Sequence, residues 1–461
     1  LPPLFKKIAV TLQEFNDIMM KISDLYKIYQ QHPVITTDSR NCPKGSIFIA
    51  LKGASFDGNK FAATALEKGC SYVIVDEPDC CKADDDRYIL TDNCLRTYKE
   101  LAREHRRQYQ IPIIGITGTN GKTTTKELVS AVLQKKYRVM HTEGNYNNDV
   151  GVPKTLLRLS DHDQIAVVEM GASHLGDIKK LIEYVEPTCG MITNVGRAHL
   201  QGFGSFEGVM KTKGELYDFI NAHSGLIFIN HDNPHLMQMA QERKLHRTIY
   251  YGQKTDDALA VCGTVVSCAP FLKFTWTTGK AYEGQPAERV HTVQTKLIGA
   301  YNLDNMLAAI TIGRHFGVSD EDIDNALAMY VPTNNRSQLT ITPHNHLVVD
   351  AYNANPSSMK AAIEAFKLME VPDKMAILGD MRELGTVSGE EHQKVIGELK
   401  DAGITNVWLV GPEFGKTDCG FRKFKDVDEV KTEIARRQPQ NHYILIKGSN
   451  GIKLFELPSL L

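Results

Sequence analysis

Gly118-Thr119-Asn120-Gly121-Lys122-Thr123-Thr124 stands between the apolar run Ile111-Pro112-Ile113-Ile114-Gly115-Ile116 and a segment, Lys126 to Gln134, patterned as a helix. The apolar run reads as a buried strand. Strand, glycine turn and helix make a phosphate cradle: glycines let backbone N–H groups close around an anion, and the helix N-terminus adds a favourable dipole. In such a cradle Lys122 reaches terminal phosphates and the Thr123 hydroxyl ligates Mg²⁺. The common form of the pattern has a glycine five residues before Gly121. Here that residue is Ile116, so the loop is a variant whose first glycine is Gly118. The plainer alternative, an ordinary Gly-rich turn, does not account for Gly-Lys-Thr at a strand–helix junction.

Outward from this loop the chain keeps one rhythm. Short apolar strands end in polar residues: Ile165–Val168 before Glu169, Met191–Val195 before a loop to His199, and Leu226–Ile229 before Asn230. Strands alternating with helices predict a largely parallel sheet, although 259–298 reads as antiparallel strands. The rhythm resumes after Val331-Pro332. His346–Val349 runs into Asp350, Met375–Leu378 into Gly379-Asp380, Val407–Val410 into Gly411, and Tyr443–Ile446 into Lys447. Before the loop, Ser46–Leu51 and Ser71–Val75 read as strands, Phe61–Lys68 as a helix ended by Gly69, and 95–108 as a charged helix. The division expected is 1–19 as an N-terminal extension, and 20–108, 109–331 and 332–461 as three α/β domains. Residues 1–19 carry Ile8, Leu12, Phe15 and Met19 at helical spacing, which also suits one amphipathic helix. Open α/β sheets bind ligands at the carboxyl ends of their strands. Lys122, Glu169 and His199 form one such rim and Asp350, Asp380 and Lys447 another, so an active site is expected in the cleft between the second and third domains.

Length and composition narrow the classes. The chain's 461 residues suffice for two to four domains. A net charge of −2 gives no general attraction to nucleic acid or an anionic membrane. Nine Cys without a Cys-x-x-Cys fit a reducing compartment better than a disulfide framework or a zinc ribbon. No apolar run is long enough for a membrane helix and no signal peptide is legible. A cytoplasmic monomer without nucleic-acid or integral membrane contact is expected.

Glu169, a carboxylate at a strand end near the phosphate loop, suits Mg²⁺. His199 by itself reads equally as a second ligand or as a structural histidine. Lys213, in a helical stretch, reads by itself as a surface lysine. His231 and His235 have the i,i+4 spacing of a zinc pair, but Pro234 opposes a helix there, so no zinc site is expected. Asp84-Asp85-Asp86 reads as a solvated loop.

Together the phosphate loop, the Glu169 strand end, Ala198-His199, Tyr301-Asn302-Leu303-Asp304-Asn305 and Asp350 resemble the Mur ligases, ATP-dependent amide-forming enzymes of bacterial cell-wall synthesis related to folylpolyglutamate synthetase. Further motifs extend the likeness from residue 37 to 449. They are Thr37-Asp38-Ser39-Arg40, Ala50 to Gly53, Phe56-Asp57-Gly58, Gly144 to Pro153, His199 to Gly204, Asp350 to Pro356, Leu378 to Gly385 and Lys447-Gly448-Ser449. They look most like the branch of the family that adds D-alanyl-D-alanine to UDP-N-acetylmuramoyl-tripeptide. The resemblance implies an N-terminal α/β domain for the UDP substrate, a central P-loop ATPase-like domain on a mainly parallel sheet, and a C-terminal Rossmann-like domain. It implies that the loop Gly118 to Thr124, with Lys122 and Thr123, holds ATP. Glu169 and His199 would bind Mg²⁺, and Lys213 matches a lysine that is carbamylated in several members and helps a second Mg²⁺. Asn302 matches an adenine contact, Arg336 a phosphate contact and Asp350 a ribose-binding acid. Ser39, Arg40, Asp57 and Gly58 would serve the UDP-sugar, and Asn147 and Asn148 the muramoyl-peptide. Two departures stand out: the family more often has Gly before the equivalent of Arg336, and Arg where this chain has Asn450.

The implied chemistry explains the parts. A carboxylate is a poor acyl donor, so ATP phosphorylates it and the amine of D-alanyl-D-alanine displaces phosphate from the acyl phosphate. Phosphoryl transfer needs charge neutralisation and in-line placement. Because an acyl phosphate hydrolyses, the third domain is expected to close on the central one over the ligands. Two other readings stay open on sequence alone: a sister ligase using another amine or folate, and a nucleotide-dependent switch protein with no ligation chemistry.

Overall fold

Three sheets order the chain in the computed structural model, which describes residues 20–461 except 83, 255, 280–288 and 333–337. The expectations placed on residues 1–19 and on Arg336 lie outside the described residues. The first sheet has four parallel strands in sequence order: Ile35–Thr36, Ile47–Ile49, Tyr72–Val75 and Tyr88–Leu90. The helices Ile22–Gln31 and Cys94–Arg107 pack with it around a core that includes Leu25, Phe48, Ile74 and Leu101. The contacts divide the chain into two compact units. One comprises the described residues up to Gln110 together with Asp149–Ser160, and the other Ile111–Asn148 with Asp161–Leu461. Asp149–Ser160 is tied into the first unit by Lys99 to Asp149 at 2.8 Å and by the Tyr29 hydroxyl donating to Leu157 O at 2.9 Å.

The second unit holds the other two sheets. The larger has nine strands in the order His291–Ile298, Phe271–Thr278, Leu259–Cys268, Thr248–Gly252, Leu226–Asn230, Cys189–Ile192, Ile113–Thr117, Ile165–Glu169 and Val139–His141. The last six pair in parallel. The first three are antiparallel to one another, as the 259–298 pattern predicts for its described residues. The smaller sheet runs Gln338–Ile341, His346–Asp350, Tyr443–Lys447, Lys374–Gly379, Asn406–Val410 and Arg422–Phe424. It is parallel except for its first, antiparallel edge. The fold is thus α/β on mostly parallel sheets.

Strand Ile113–Thr117 is buried at every residue and lies between Ile165–Glu169 and Cys189–Ile192. From it the chain passes first to one side of the sheet and later to the other, which is where open α/β sheets form a ligand crevice. The helix Lys122–Leu133 starts four residues before the segment predicted from apolar spacing. Gly121, in the left-handed conformation at its N-cap, sets that start, and the apolar period becomes visible only at Leu128. The strand expected over Met191–Val195 ends at Ile192; beyond it the Thr193 and Asn194 side chains bind the phosphate loop.

Candidate active site

The phosphate loop is shaped by two glycines with no substitute. Gly118 has φ +148° and a Cβ there would lie 1.9 Å from Thr193 Oγ1; Gly121 has φ +78° and a Cβ would lie 2.8 Å from Asn305 Oδ1. The residues after the neighbouring strand pin the loop. Thr119 N donates to Asn194 O at 2.9 Å, Asn120 N to Asn194 Oδ1 at 3.0 Å, and Thr193 Oγ1 to Asn120 O at 2.6 Å. Gly196 N donates to Thr119 Oγ1 at 2.9 Å. Lys122 folds back over this backbone, its ammonium donating to Gly118 O at 2.8 Å and Thr119 O at 3.0 Å. Its charge is held over the concavity where an anion would sit. Thr124 follows, half-buried, in the first turn of the helix.

Glu169 is fully buried and is the last residue of its strand, paired with Ile116 just before the loop. Its carboxylate accepts from Thr123 Oγ1 at 2.9 Å through one oxygen and from Asn147 Nδ2 at 2.7 Å through the other. Its backbone N–H donates to Thr142 Oγ1 at 3.0 Å. Thr123, Glu169 and Asn147 therefore meet, and Asn148 follows Asn147 in an exposed position.

His199 has φ +51° and precedes the short helix Leu200–Phe203; its Nδ1 meets the Glu383 carboxylate. Burial holds the imidazole's pKa below its ordinary value; Glu383 pulls it up, and the charges of Lys122 and Lys213 push it down. Lys213 corrects the surface reading of its sequence. It lies in the helix Phe206–Ala222 and is 2% exposed, its ammonium nitrogen 5.8 Å from the Phe203 ring centroid. Burial, then the charge of Lys122, hold its pKa well below 10.5. Lys122, His199 and Lys213 thus act on one another electrostatically.

The donor set suits magnesium and not a protein-built cage. Among the described residues no group of three His, Cys, Asp or Glu side chains converges to hold a metal. Mg²⁺ does not require such a cage: it keeps several waters and takes one or two carboxylates plus substrate phosphates. Glu169 and the Thr123 hydroxyl beside a phosphate cradle meet that description.

Asn302 opens the helix Asn302–His315 and is buried, donating to Ile298 O at 2.8 Å and accepting from Asn305 at 2.9 Å. Asn305 in turn accepts from Thr125 at 2.9 Å, which links Asn302 to the phosphate-loop helix. Asp350 closes its strand and is bound by the Lys447 ammonium at 2.6 Å. Asp380 leaves the predicted rim. It is buried, accepts the Glu413 and Phe414 N–H groups at 2.8 Å each, and has its pKa raised chiefly by burial. Ser39, Arg40, Asp57 and Gly58 lie in the first unit. Arg40 is exposed and makes a two-point pair with Asp38, Ser39 O accepts from Lys68 at 2.7 Å, and Asp57 caps the turn Gly58–Phe61 through Asn59 N at 3.0 Å. His231 and His235 pack separately, against Tyr250 and Phe206. A helix does form there: Pro234 is its first residue, where the missing N–H has no helical partner to lose.

Three domain profiles match in series: "Mur ligase family, catalytic domain" over 33–114, "Mur ligase middle domain" over 116–313, and "Mur ligase, glutamate ligase domain" over 335–450. The UDP-N-acetylmuramoyl-tripeptide–D-alanyl-D-alanine ligase of Bacillus subtilis is 34% identical over 434 residues, 92% of each chain. The chain belongs to the Mur ligase family. Solved structures agree with this Mur ligase along its length. The MurF crystal structure from Acinetobacter baumannii has a TM-score of 0.82 at 28% identity, covering 94% of this chain and 97% of that one. The MurF ligase from Thermotoga maritima, in complex with ADP, has 0.81 at 27% identity, covering 96% and 98%.

The structure of this Mur ligase also brings in residues that sequence reading missed. Asn355 caps the helix Pro356–Leu368 and its amide donates to Asn120 Oδ1, in the phosphate loop, at 2.9 Å. Arg197 N donates to Ser357 Oγ at 3.2 Å, and Glu383 holds His199. Asn355 is part of the stretch Asp350 to Pro356, but its partner is 235 residues away in the chain and no local pattern names it.

Proposed function

We propose that this Mur ligase couples ATP to the joining of D-alanyl-D-alanine and UDP-N-acetylmuramoyl-tripeptide, giving the UDP-muramoyl-pentapeptide of peptidoglycan synthesis. The observation that carries the reading is the meeting of Thr123, Glu169 and Asn147 beside Lys122, in a chain that the Bacillus subtilis UDP-N-acetylmuramoyl-tripeptide–D-alanyl-D-alanine ligase matches over 92% of both lengths. The Thermotoga maritima relative was solved in complex with ADP, which supports nucleotide binding by this chain. In this reading residues 20–108 take the UDP-sugar through Ser39, Arg40, Asp57 and Gly58. Residues 109–331 take ATP, and residues 332–461 supply Asp350 to its ribose and Arg336 to its phosphates. Asn302 serves the adenine, and Asn147 and Asn148 the muramoyl-peptide. The protein works in the cytoplasm, as a monomer.

The site then performs two steps. The tripeptide carboxylate attacks the γ-phosphorus of ATP and ADP leaves, giving an acyl phosphate. The amine of D-alanyl-D-alanine attacks the acyl carbon, loses a proton and expels inorganic phosphate. Lys122 shifts from its loop carbonyls to the phosphates and neutralises charge as it develops. Thr123 and Glu169, with His199, would hold Mg²⁺, which would supply positive charge against the negative charge developing on the transferred group. Burial lowers the pKa of Lys213 well below 10.5 and so favours its uncharged, nucleophilic amine. Reaction of that amine with CO₂, with loss of a proton, would give a carbamate whose anionic oxygen would suit a metal ion in the site; the carbamate is what the family resemblance offers for Lys213. The backbone cradle around Gly118 and Gly121 orients the phosphates without moving.

Phosphate release tests the proposal, measured with ATP, Mg²⁺ and UDP-muramoyl-tripeptide in the presence and absence of D-alanyl-D-alanine. Release that requires both substrates, with a product heavier by the dipeptide, is the expected result. Release independent of the dipeptide, or activity only with another amine, overturns it in favour of a switch protein or a sister ligase.

A further inference from the structure

Asp350 and Lys447 are direct Cα partners at the carboxyl ends of two adjacent parallel strands, His346–Asp350 and Tyr443–Lys447. Their side chains meet where both strands run out into loops. The Lys447 side chain is 2% exposed and that of Asp350 19%. The ammonium donates to Asp350 Oδ2 at 2.6 Å and to Asn353 O at 3.3 Å. One buried cation therefore grips both the acid at the strand end and the loop that follows. Three residues beyond Asp350 is Asn353, and two further is Asn355, whose amide reaches the phosphate loop. A buried ion pair of this kind adds little net stability, because desolvation offsets the attraction. Its effect is geometric: one carboxylate oxygen held by Lys447 sets the direction of the other.

We infer that Lys447 is a positioning residue for the nucleotide, aiming the Asp350 carboxylate at a ribose hydroxyl of ATP and fixing the 351–355 loop against the phosphate loop. The inference rests on the reading of Asp350 as the ribose-binding acid. The lysine touches neither ribose nor phosphate in this arrangement; it acts through Asp350 and Asn353. A long, flexible point charge suits the role, since it satisfies two acceptors at different angles with its three donors.

The test is discrimination between ATP and its 2′-deoxy and 3′-deoxy analogues, read as the ratio of kcat/KM values. A hydrogen bond to a charged acceptor makes the wild-type enzyme prefer ATP over the analogue lacking that hydroxyl on the order of ten- to a hundredfold. Lys447→Met and Lys447→Gln are expected to bring this ratio toward one, as Asp350→Asn does. The double variant Lys447→Met/Asp350→Asn is expected to discriminate no less than either single variant. Lys447→Arg, which keeps the charge in a bulkier head, is expected to restore part of the preference. Thermal unfolding of each variant reports folding, and the two neutral variants are read independently of each other. A merely structural role for Lys447 would lower activity with ATP and both analogues alike and leave the ratio unchanged. If Asp350→Asn loses the preference while both neutral Lys447 variants keep it, the inference fails and the ribose reading stands. If Asp350→Asn itself keeps the preference, the ribose reading fails and the inference falls with it.

Discussion

At the phosphate loop, single atoms decide what can be changed. Lys122 spends its donors on Gly118 O and Thr119 O, so its ammonium is already placed where phosphates would arrive. Lys122→Ala removes the charge together with its two hydrogen bonds to the loop carbonyls. We expect phosphate release to fall on the order of 10²–10³-fold, while calorimetric binding of the UDP substrate is retained. ADP formation near the wild-type rate would break the assignment of this loop. Two glycines separate steric demand from backbone strain. Gly118 has no room, its Cβ position lying 1.9 Å from Thr193 Oγ1, whereas Gly144, at φ +50°, has nothing within 4 Å. Gly118→Ala should therefore displace Thr193 and Asn194, weaken ATP binding, and lower stability by more than the roughly 1–3 kcal/mol of left-handed strain. Gly144→Ala should show the strain alone. Equal losses in urea unfolding would contradict the close approach at Gly118.

A helix carries the least obvious member of the site. In Phe206–Ala222, capped by Ser205 accepting from Gly208 N at 3.1 Å, the buried stripe runs Val209, Leu216, Tyr217 and Ile220, and Lys213 occupies a position within it. Folding moves this lysine from water, where it is protonated up to about pH 10.5, to a place where its pKa is far lower. Between those two values the unfolded chain holds the extra proton, so stability rises with pH across that window. Lys213→Met fits the stripe and lacks this term. In CO₂-free buffer the variant should be more stable than wild type near neutral pH, with a gap that narrows as the pH approaches 10.5 and with ligase activity lost. Denaturant midpoints at the two ends of the window measure it; a gap that widens with pH would contradict a pKa lowered by burial. Lys213 also marks the limit of what sequence reveals. The strands Ile165–Glu169, Lys374–Gly379 and Tyr443–Lys447 were legible within two residues, because a fully buried parallel strand is a bare apolar run with polar ends. The phosphate loop was legible because its glycines and lysine are contiguous. Lys213 was not, since a charged residue reads as solvated unless its place in the stripe at 209, 216, 217 and 220 is weighed. Asp380 failed in the opposite way: its position at a strand end suggested a ligand, but two backbone N–H groups claim it.

Across the second unit, the two sheets are joined in two different manners. Ile298, at the end of one edge strand of the nine-stranded sheet, is buried in the core that also holds Val348, Met359 and Phe366 of the smaller sheet's layer, with Phe271 packed beside it. Near the phosphate loop the joints are polar: Asn355 to Asn120, Arg197 to Glu391 at 3.4 Å, His199 to Glu383, and the Asn145 amide to the Tyr352 hydroxyl. Apolar contact must be broken outright to open, whereas these polar contacts, two of them exposed and two part-buried, can exchange for contacts with water at a smaller net cost. The Ile298 end is therefore expected to act as the anchor, and the phosphate-loop end to be the part that opens when ATP enters and ADP leaves. Asn355→Asp, which keeps the oxygen that caps the helix and loses the amide that donates to Asn120, combined with Glu383→Ala should change the melting temperature little, speed amide hydrogen exchange in the phosphate loop, and raise the KM for ATP about tenfold. Ile298→Ala should do the reverse in kind: it empties a core position, lowers stability by roughly 2–5 kcal/mol, and loosens both ends together. The decisive comparison is exchange at Asn120 in the two variants. If the double variant protects that amide as well as wild type does, the polar joints are not what holds the loop closed, and the anchor alone sets the approach of the two sheets.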